Sequence, residues 1–344
     1  MSNKWVLALQ IASVYIGTVI GAGFATGKEI VEFFSKYGAG GIVGIICSAV
    51  LFVWLGTKMM LIGRRINASS YLQLNQFLFG TLSAYVVNGL MFMMLIGITS
   101  VMLSGAGAIF EEQLSLSKQF GIFFTIVLSI AVISFGVKGL SSVNLLVVPL
   151  FILFSLIISI EAIIRGDFID LSLDGVFQPV KSSFLYVSFN LSLAQAVLVP
   201  LANAIKDESA IKLGGVVGGL GLSFILFSSY FSLLHLPDAG LFEIPMAEIV
   251  KQLFSGFYYI YILVIFGEIF SSLIGNLYGL ERQLSSEKPL AKIAGVIFIL
   301  LLCYLVSLIG YGKLISTLYP LFGYMSIAFF ILLMFKKIPD DNKS

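Results

Sequence analysis

The chain has 344 residues, 59% of them hydrophobic and only 11% charged, with a formal net charge of +2. That balance lies well outside the soluble range and marks an integral membrane protein, with no nucleic-acid partner implied by the near-zero charge. Cys47 and Cys303 both sit inside apolar segments, so no disulfide framework is expected.

A span needs about 20 apolar residues. About ten such stretches follow one another: 5–35, 41–63, 82–110, 119–137, 142–164, 182–205, 212–234, 256–280, 290–309 and 312–335. Their length and all-round apolarity make them helices rather than the alternating strands of a barrel. The N-terminal stretch runs on through glycines and charges and lacks the short apolar core and small-residue site of a signal peptide. Lysine and arginine set the orientation. With the N-terminus inside, Lys4, Lys58, Arg64, Arg65, Lys138, Lys206, Lys212, Arg282, Lys288, Lys292, Lys336, Lys337 and Lys343 gather on the cytoplasmic side. Both termini are then cytoplasmic. Most connections are short; the exception, Leu234 to Leu253, has room for a short helix from Pro245 and reads equally as a lid or an inert connector.

The first stretch contains Gly17, Gly21, Gly23 and Gly27. Glycine costs about 1 kcal/mol per site in a helix and lets backbone approach a ligand closely. Broken helices survive in a bilayer only inside protein or beside a cavity. The restarting half-helix near Gly23 to Thr26 would present amides to an anion, and the carbonyls near Gly17 and Ile20 would suit a cation. Close helix packing is the competing explanation for glycines at this spacing. The sixth stretch places Ser188, Asn190, Ser192 and Gln195 within eight residues and is expected to be the second broken helix, with an intact helix hydrogen-bonded to its neighbours as the competing explanation. Two breaks five spans apart imply two halves of opposite topology, 1–165 and 178–337, around a midplane site.

The eighth stretch carries Glu268, Ser271 and Ser272 on one helix face. A carboxylate at mid-membrane is by default functional, either beside a bound cation or carrying a coupling proton. Gly97, Ser100 and Ser104 share a face of the third span, as pocket lining or as small-residue packing. Beyond the first break, Lys28–Glu32 and Glu32–Lys36 are spaced to pair, and Glu29, left without a partner, is expected at a solvated helix end, with a place lining the outer vestibule as the alternative. His235 is expected in a loop, and Tyr258, Tyr259, Tyr311 and Tyr319 as interface anchors. No metal cluster or nucleophile–base pair suggests an enzyme.

The string from Gly17 to Phe24, with Lys36-Tyr-Gly-Ala-Gly-Gly after it, resembles the first helix of LeuT-type neurotransmitter:sodium symporters. Phe189-Asn-Leu-Ser-Leu resembles their sixth helix. Gly-Ala-Gly-Phe-Ala-Thr-Gly-Lys-Glu, residues 21–29, is most similar to bacterial YkvI-type membrane proteins, near the amino acid–polyamine–organocation (APC) superfamily. The resemblance implies an all-α bacterial inner-membrane transporter with a LeuT-type 5+5 inverted repeat and broken helices 1 and 6. It implies that Gly17, Ile20, Ser271 and Ser272 hold sodium, and that Gly21, Ala22, Gly23, Ser100, Phe189, Asn190 and Ser192 border the substrate. That substrate would be an amino acid or related carboxylate. Phe24 stands where those symporters place a sodium-ligating Asn, which leaves one sodium site, and Glu268 keeps proton coupling as the alternative. A LeuT-like solute sensor that binds without transport is the rival function.

Overall fold

The computed structural model describes residues 2–133, 149–158, 160, 164, 177–253, 255–281 and 289–340. The first span is three pieces: α1 (Ser2–Val19), α2 (Ala22–Thr26) and α3 (Lys28–Phe33). After it come α4 (Gly41–Leu51), α5 (Thr57–Arg65), α6 (Tyr71–Phe79), α7 (Thr81–Ala108), α8 (Lys118–Ile133) and α9 (Pro149–Ile158). The second half holds α10 (Phe177–Ala204), α11 (Glu208–Leu234), α12 (Pro245–Leu253), α13 (Tyr258–Glu281), α14 (Pro289–Ser307) and α15 (Tyr311–Phe335).

Among the described residues six helices are long and apolar enough to cross a bilayer: Ser35–Arg65, Thr81–Gln113, Phe177–Ala204, Glu208–Leu234, Ser255–Leu277 and Tyr311–Phe335. Four shorter apolar helices, Lys4–Val19, Lys118–Val132, Pro149–Ile158 and Ala294–Ser307, lie within the remaining expected spans. The expected spans 119–137 and 142–164 fall partly outside the described residues, as do Lys138, Arg165, Arg282, Lys288 and Lys343 of the charge count.

Packing divides the helices into two sets. In one, α1 lies along α11 and touches α10, while α10 and α11 both pack on α4 and α5. In the other, α7 is the hub, against α8, α13 and α14. The helix α15 leans on α10 and on α7, and the small α2 is the piece that reaches α13 and α7. Small residues make these approaches possible: a Cβ on Gly214 would meet Ile11, and one on Gly218 would meet Tyr15.

The second span is continuous but carries a π turn at Phe52–Gly56 between α4 and α5. Tyr15 of α1 enters this turn. Its hydroxyl donates to the Phe52 carbonyl at 2.8 Å, and Gly56 is the residue whose missing side chain leaves room for it. Thr57 and Met60, just past the turn, lie against Gly215 of α11. At the same end of the bundle Arg65 forks onto both oxygens of Glu208, at 2.8 and 3.0 Å, and donates to the Pro339 carbonyl.

The expected second break does not occur. α10 runs unbroken from Phe177 to Ala204 through all four polar residues. The reason is local. Asn190 Nδ2 donates to the Tyr186 carbonyl, Ser188 Oγ to the Leu185 carbonyl, and Gln195 Nε2 to the Ser192 carbonyl. These side chains bond back onto their own helix.

Candidate functional site

The first span breaks where the glycines are. The Ile20 amide bonds back to the Ile16 carbonyl, and Gly21 is then extended (φ −120°, ψ −169°) before α2 begins. Gly27 ends α2 in the left-handed region at φ +82°, where a side chain would also strike Met246 and Leu233. Only glycine takes this conformation without strain.

Each glycine of the break faces a different wall. Gly21 looks at Met102 of α7 and Ser272 of α13; a Cβ there would lie 3.5 Å from the Met102 methyl and 4.0 Å from the Ser272 hydroxyl. The structure therefore brings the end of α1 to the Glu268–Ser272 segment of α13. Ser271 Oγ donates to the Glu268 carbonyl at 3.3 Å. Glu268 is 1% exposed, and among the described residues neither carboxylate oxygen has a hydrogen-bond partner.

Gly23 looks the other way. A Cβ there would lie 2.6 Å from Glu29 Oε2 and 2.9 Å from the Tyr319 ring. Glu29 is 2% exposed, so the expectation of a solvated helix end is wrong. The turn at Gly27 folds α3 so that Glu29 points back at the break instead of out along the span. Asn190 Nδ2 approaches Glu29 Oε1 at 3.4 Å. The buried Tyr186 hydroxyl stands beside the same carboxyl. The rings of Phe189 and Tyr319 stand 4.8 Å apart. Tyr311 and Tyr319 are buried in this layer and are not interface anchors; the Tyr311 hydroxyl meets Thr26 Oγ1 at 2.7 Å. Tyr259 is exposed, as an anchor should be, while Tyr258 is buried and bonds Gln113.

Of the expected site residues, Gly21, Ala22, Gly23, Phe189 and Asn190 meet around the break, with Ile20 and Ser272 on its α13 side. Ser192 is buried further along α10. Ser100 does not join them. Its hydroxyl donates to the Ile96 carbonyl, which Cys303 of α14 also approaches, and Ser104 bonds the Ser307 carbonyl. That face of α7 is packing against α14. His235 caps the end of α11, with Nδ1 2.8 Å from the Phe231 carbonyl.

The long connection is fastened over one end of the break. Lys28 Nζ donates to the carbonyls of Gly240 and Phe242, at 2.7 and 2.6 Å. Glu112 accepts from the amides of Glu243 and Ile244, and Glu243 accepts from the Gly312 amide. A cleft of about 340 Å³ opens between α3, α10 and α15, walled by Glu32, Phe33, Lys181, Leu185, Pro320 and Tyr324.

A helix opened at glycines, enclosed by two packed helical sets, defines a membrane protein of the LeuT-type fold. Solved structures carry that assignment. The chain is similar to Mhp1, a nucleobase-cation-symport-1 family transporter, in a closed conformation with bromovinylhydantoin bound (TM-score 0.63, 12% identity, 92% of this chain and 74% of that one). It is also similar to a manganese transporter of Eremococcus coleocola (TM-score 0.57, 12% identity, 94% and 76%). The chain belongs to the YkvI family of membrane proteins. It is 50% identical over 335 residues, 96% of each chain, to the uncharacterized membrane protein YkvI of Bacillus subtilis (strain 168), and 24% identical to the uncharacterized protein YyaD of the same organism. No protein-family model matches the chain.

Proposed function

We propose that the chain is an ion-coupled secondary transporter that moves a small solute, an amino acid or related carboxylate, by alternating access, with sodium as the coupling ion. The observation that carries the reading is the opened first span, whose Gly21 faces Ser272 on one side and whose Gly23 faces Phe189, Asn190 and Tyr319 on the other. In this reading the carbonyls of Gly17 and Ile20 and the hydroxyls of Ser271 and Ser272 hold sodium, a hard cation that takes oxygen ligands. Gly21, Ala22 and Gly23 lie beside the solute, and the set α1, α4, α5, α10 and α11 moves against α7, α8, α13 and α14. The two sequence halves, 1–165 and 178–337, are the units that would be related by inversion. Both termini face the cytoplasm, so the strap over Lys28 closes the outer side. The likeness to Mhp1 is higher for the closed form than for the inward-facing form (TM-scores 0.63 and 0.54), in keeping with a closed state.

Glu268 supports a second reading of the coupling. A buried carboxyl whose two oxygens have no partner among the described residues is held at mid-span as a charge awaiting a cation or as a proton carrier. Uptake into liposomes separates these readings. Accumulation driven by an inward sodium gradient and lost in Ser272→Ala supports sodium. Accumulation driven by a proton gradient and lost in Glu268→Gln supports the proton. Binding with no accumulation under either gradient leaves a solute sensor.

A further inference from the structure

Glu29 is a buried carboxylate for which the described residues supply no positive partner. Ion pairs among the described residues lie elsewhere: Lys36 takes Glu32, Arg65 takes Glu208, and Lys251 takes Glu248. Lys28, adjacent in sequence, is committed to the strap. The side-chain donors beside Glu29 are the Asn190 carboxamide, at the long distance of 3.4 Å, and the Tyr186 hydroxyl. Both are neutral. A buried carboxylate answered only by neutral donors among the described residues asks for a third group that is both cationic and a hydrogen-bond donor. The surroundings choose among cations. The walls are the rings of Tyr186, Phe189 and Tyr319, with Phe33 and Phe34 packed on Tyr186 at 5.2 and 5.0 Å. A metal ion wants oxygens around it, whereas an ammonium is attracted to ring faces and donates to a carboxylate.

We infer that Glu29 is the counter-ion for a protonated amine on the solute, seated against Tyr186, Phe189 and Tyr319, so that the solute must carry an amine. This rests on the proposed solute-binding role of the break. It restricts that role: a simple carboxylate would be repelled by Glu29 where it lies against Gly23, whereas an amino acid or amine would be held.

The test uses the purified full chain and a matched panel: the common amino acids, their decarboxylated amines and their deaminated acids, read by thermal shift. At least one amine-bearing compound should stabilise the protein, and no deaminated acid should. Glu29→Gln should raise the half-saturating concentration of that compound at least about tenfold, with Glu29→Asp between the two, because hydrogen bonds to charged groups are the strong ones. Should Glu29→Gln fail to fold, Tyr186→Phe keeps the ring, removes the hydroxyl beside the carboxylate and should weaken the same compound several-fold. Unchanged affinity in these variants, stabilisation by a deaminated acid, or no stabilisation by any compound overturns the inference. The same proteins in liposomes separate the two levels. A compound that binds through Glu29 but is not accumulated removes the transport reading and keeps the amine site. A deaminated acid accumulated equally by wild type and Glu29→Gln removes the amine site and keeps transport.

Discussion

The first span and α10 run side by side through the bundle, and each carries residues unsuited to a helix interior. The first opens at Ile20–Gly21 and bends at Gly27, whereas α10 keeps every turn. The difference is where the unsuited character resides. In the first span it is in the backbone, because glycine has no side chain to hold a helical conformation. In α10 it is in side chains, and serine, asparagine and glutamine can spend their donors on carbonyls of their own helix. Glycine alone does not break a helix, since α11 runs unbroken through Gly214, Gly215, Gly218, Gly219 and Gly221; the first span opens where Gly21 is extended and bends where Gly27 is left-handed. The two regions still cooperate: the opened one aims Glu29 at the intact one, which answers with Asn190.

Substitutions can break that comparison in graded steps, each read by thermal denaturation in detergent. Gly27→Ala should cost the most, about 3 kcal/mol, from a left-handed backbone plus overpacking on Met246. Gly23→Ala should follow at about 2 kcal/mol, because its methyl meets Glu29 and Tyr319. Asn190→Ala should cost about 1–2 kcal/mol by removing the donor to Glu29, with helical content by circular dichroism unchanged. A loss of helicity there would mean that α10 depends on the back-bond. Ser188→Ala should cost about 1 kcal/mol, since its hydroxyl also reaches the Gly323 carbonyl. Gly21→Ala should be the mildest, within about 0.5 kcal/mol, because its backbone is ordinary and its nearest neighbour is 3.5 Å away. If Gly21→Ala destabilised as much as Gly27→Ala, the division between bend and opening would be wrong.

Much of the fold was legible in the sequence. Six helices long and apolar enough to cross a bilayer coincide with expected stretches, and the glycine string marks the opened helix, because both signals are local in the chain. Pairings between distant segments were not. Glu29 reads as a solvated helix end until Gly27 turns α3 back on itself. Tyr311 and Tyr319 stand near the start of an apolar stretch and read as anchors, yet α15 leans into the bundle and buries them. Ser100 has the same helical spacing as a pocket residue, but its side of α7 meets α14. One clue to Glu29 was present: the i,i+4 pairing of its neighbours left it without a partner.

The wide turn at Phe52–Gly56 has a consequence for how the second span tolerates change in length. A helix advances about 100° per residue, so removing one residue from this turn could close it to ordinary α geometry and would swing everything after it by that angle. Thr57 and Met60 would leave Gly215, and Arg65 would leave Glu208, while the contacts of α4 stayed put. The hydroxyl of Tyr15 holds the extra residue in place from the neighbouring helix. The two ends of this span are thus phased separately, like two gears keyed to one shaft with a fixed offset, and Tyr15 is the key.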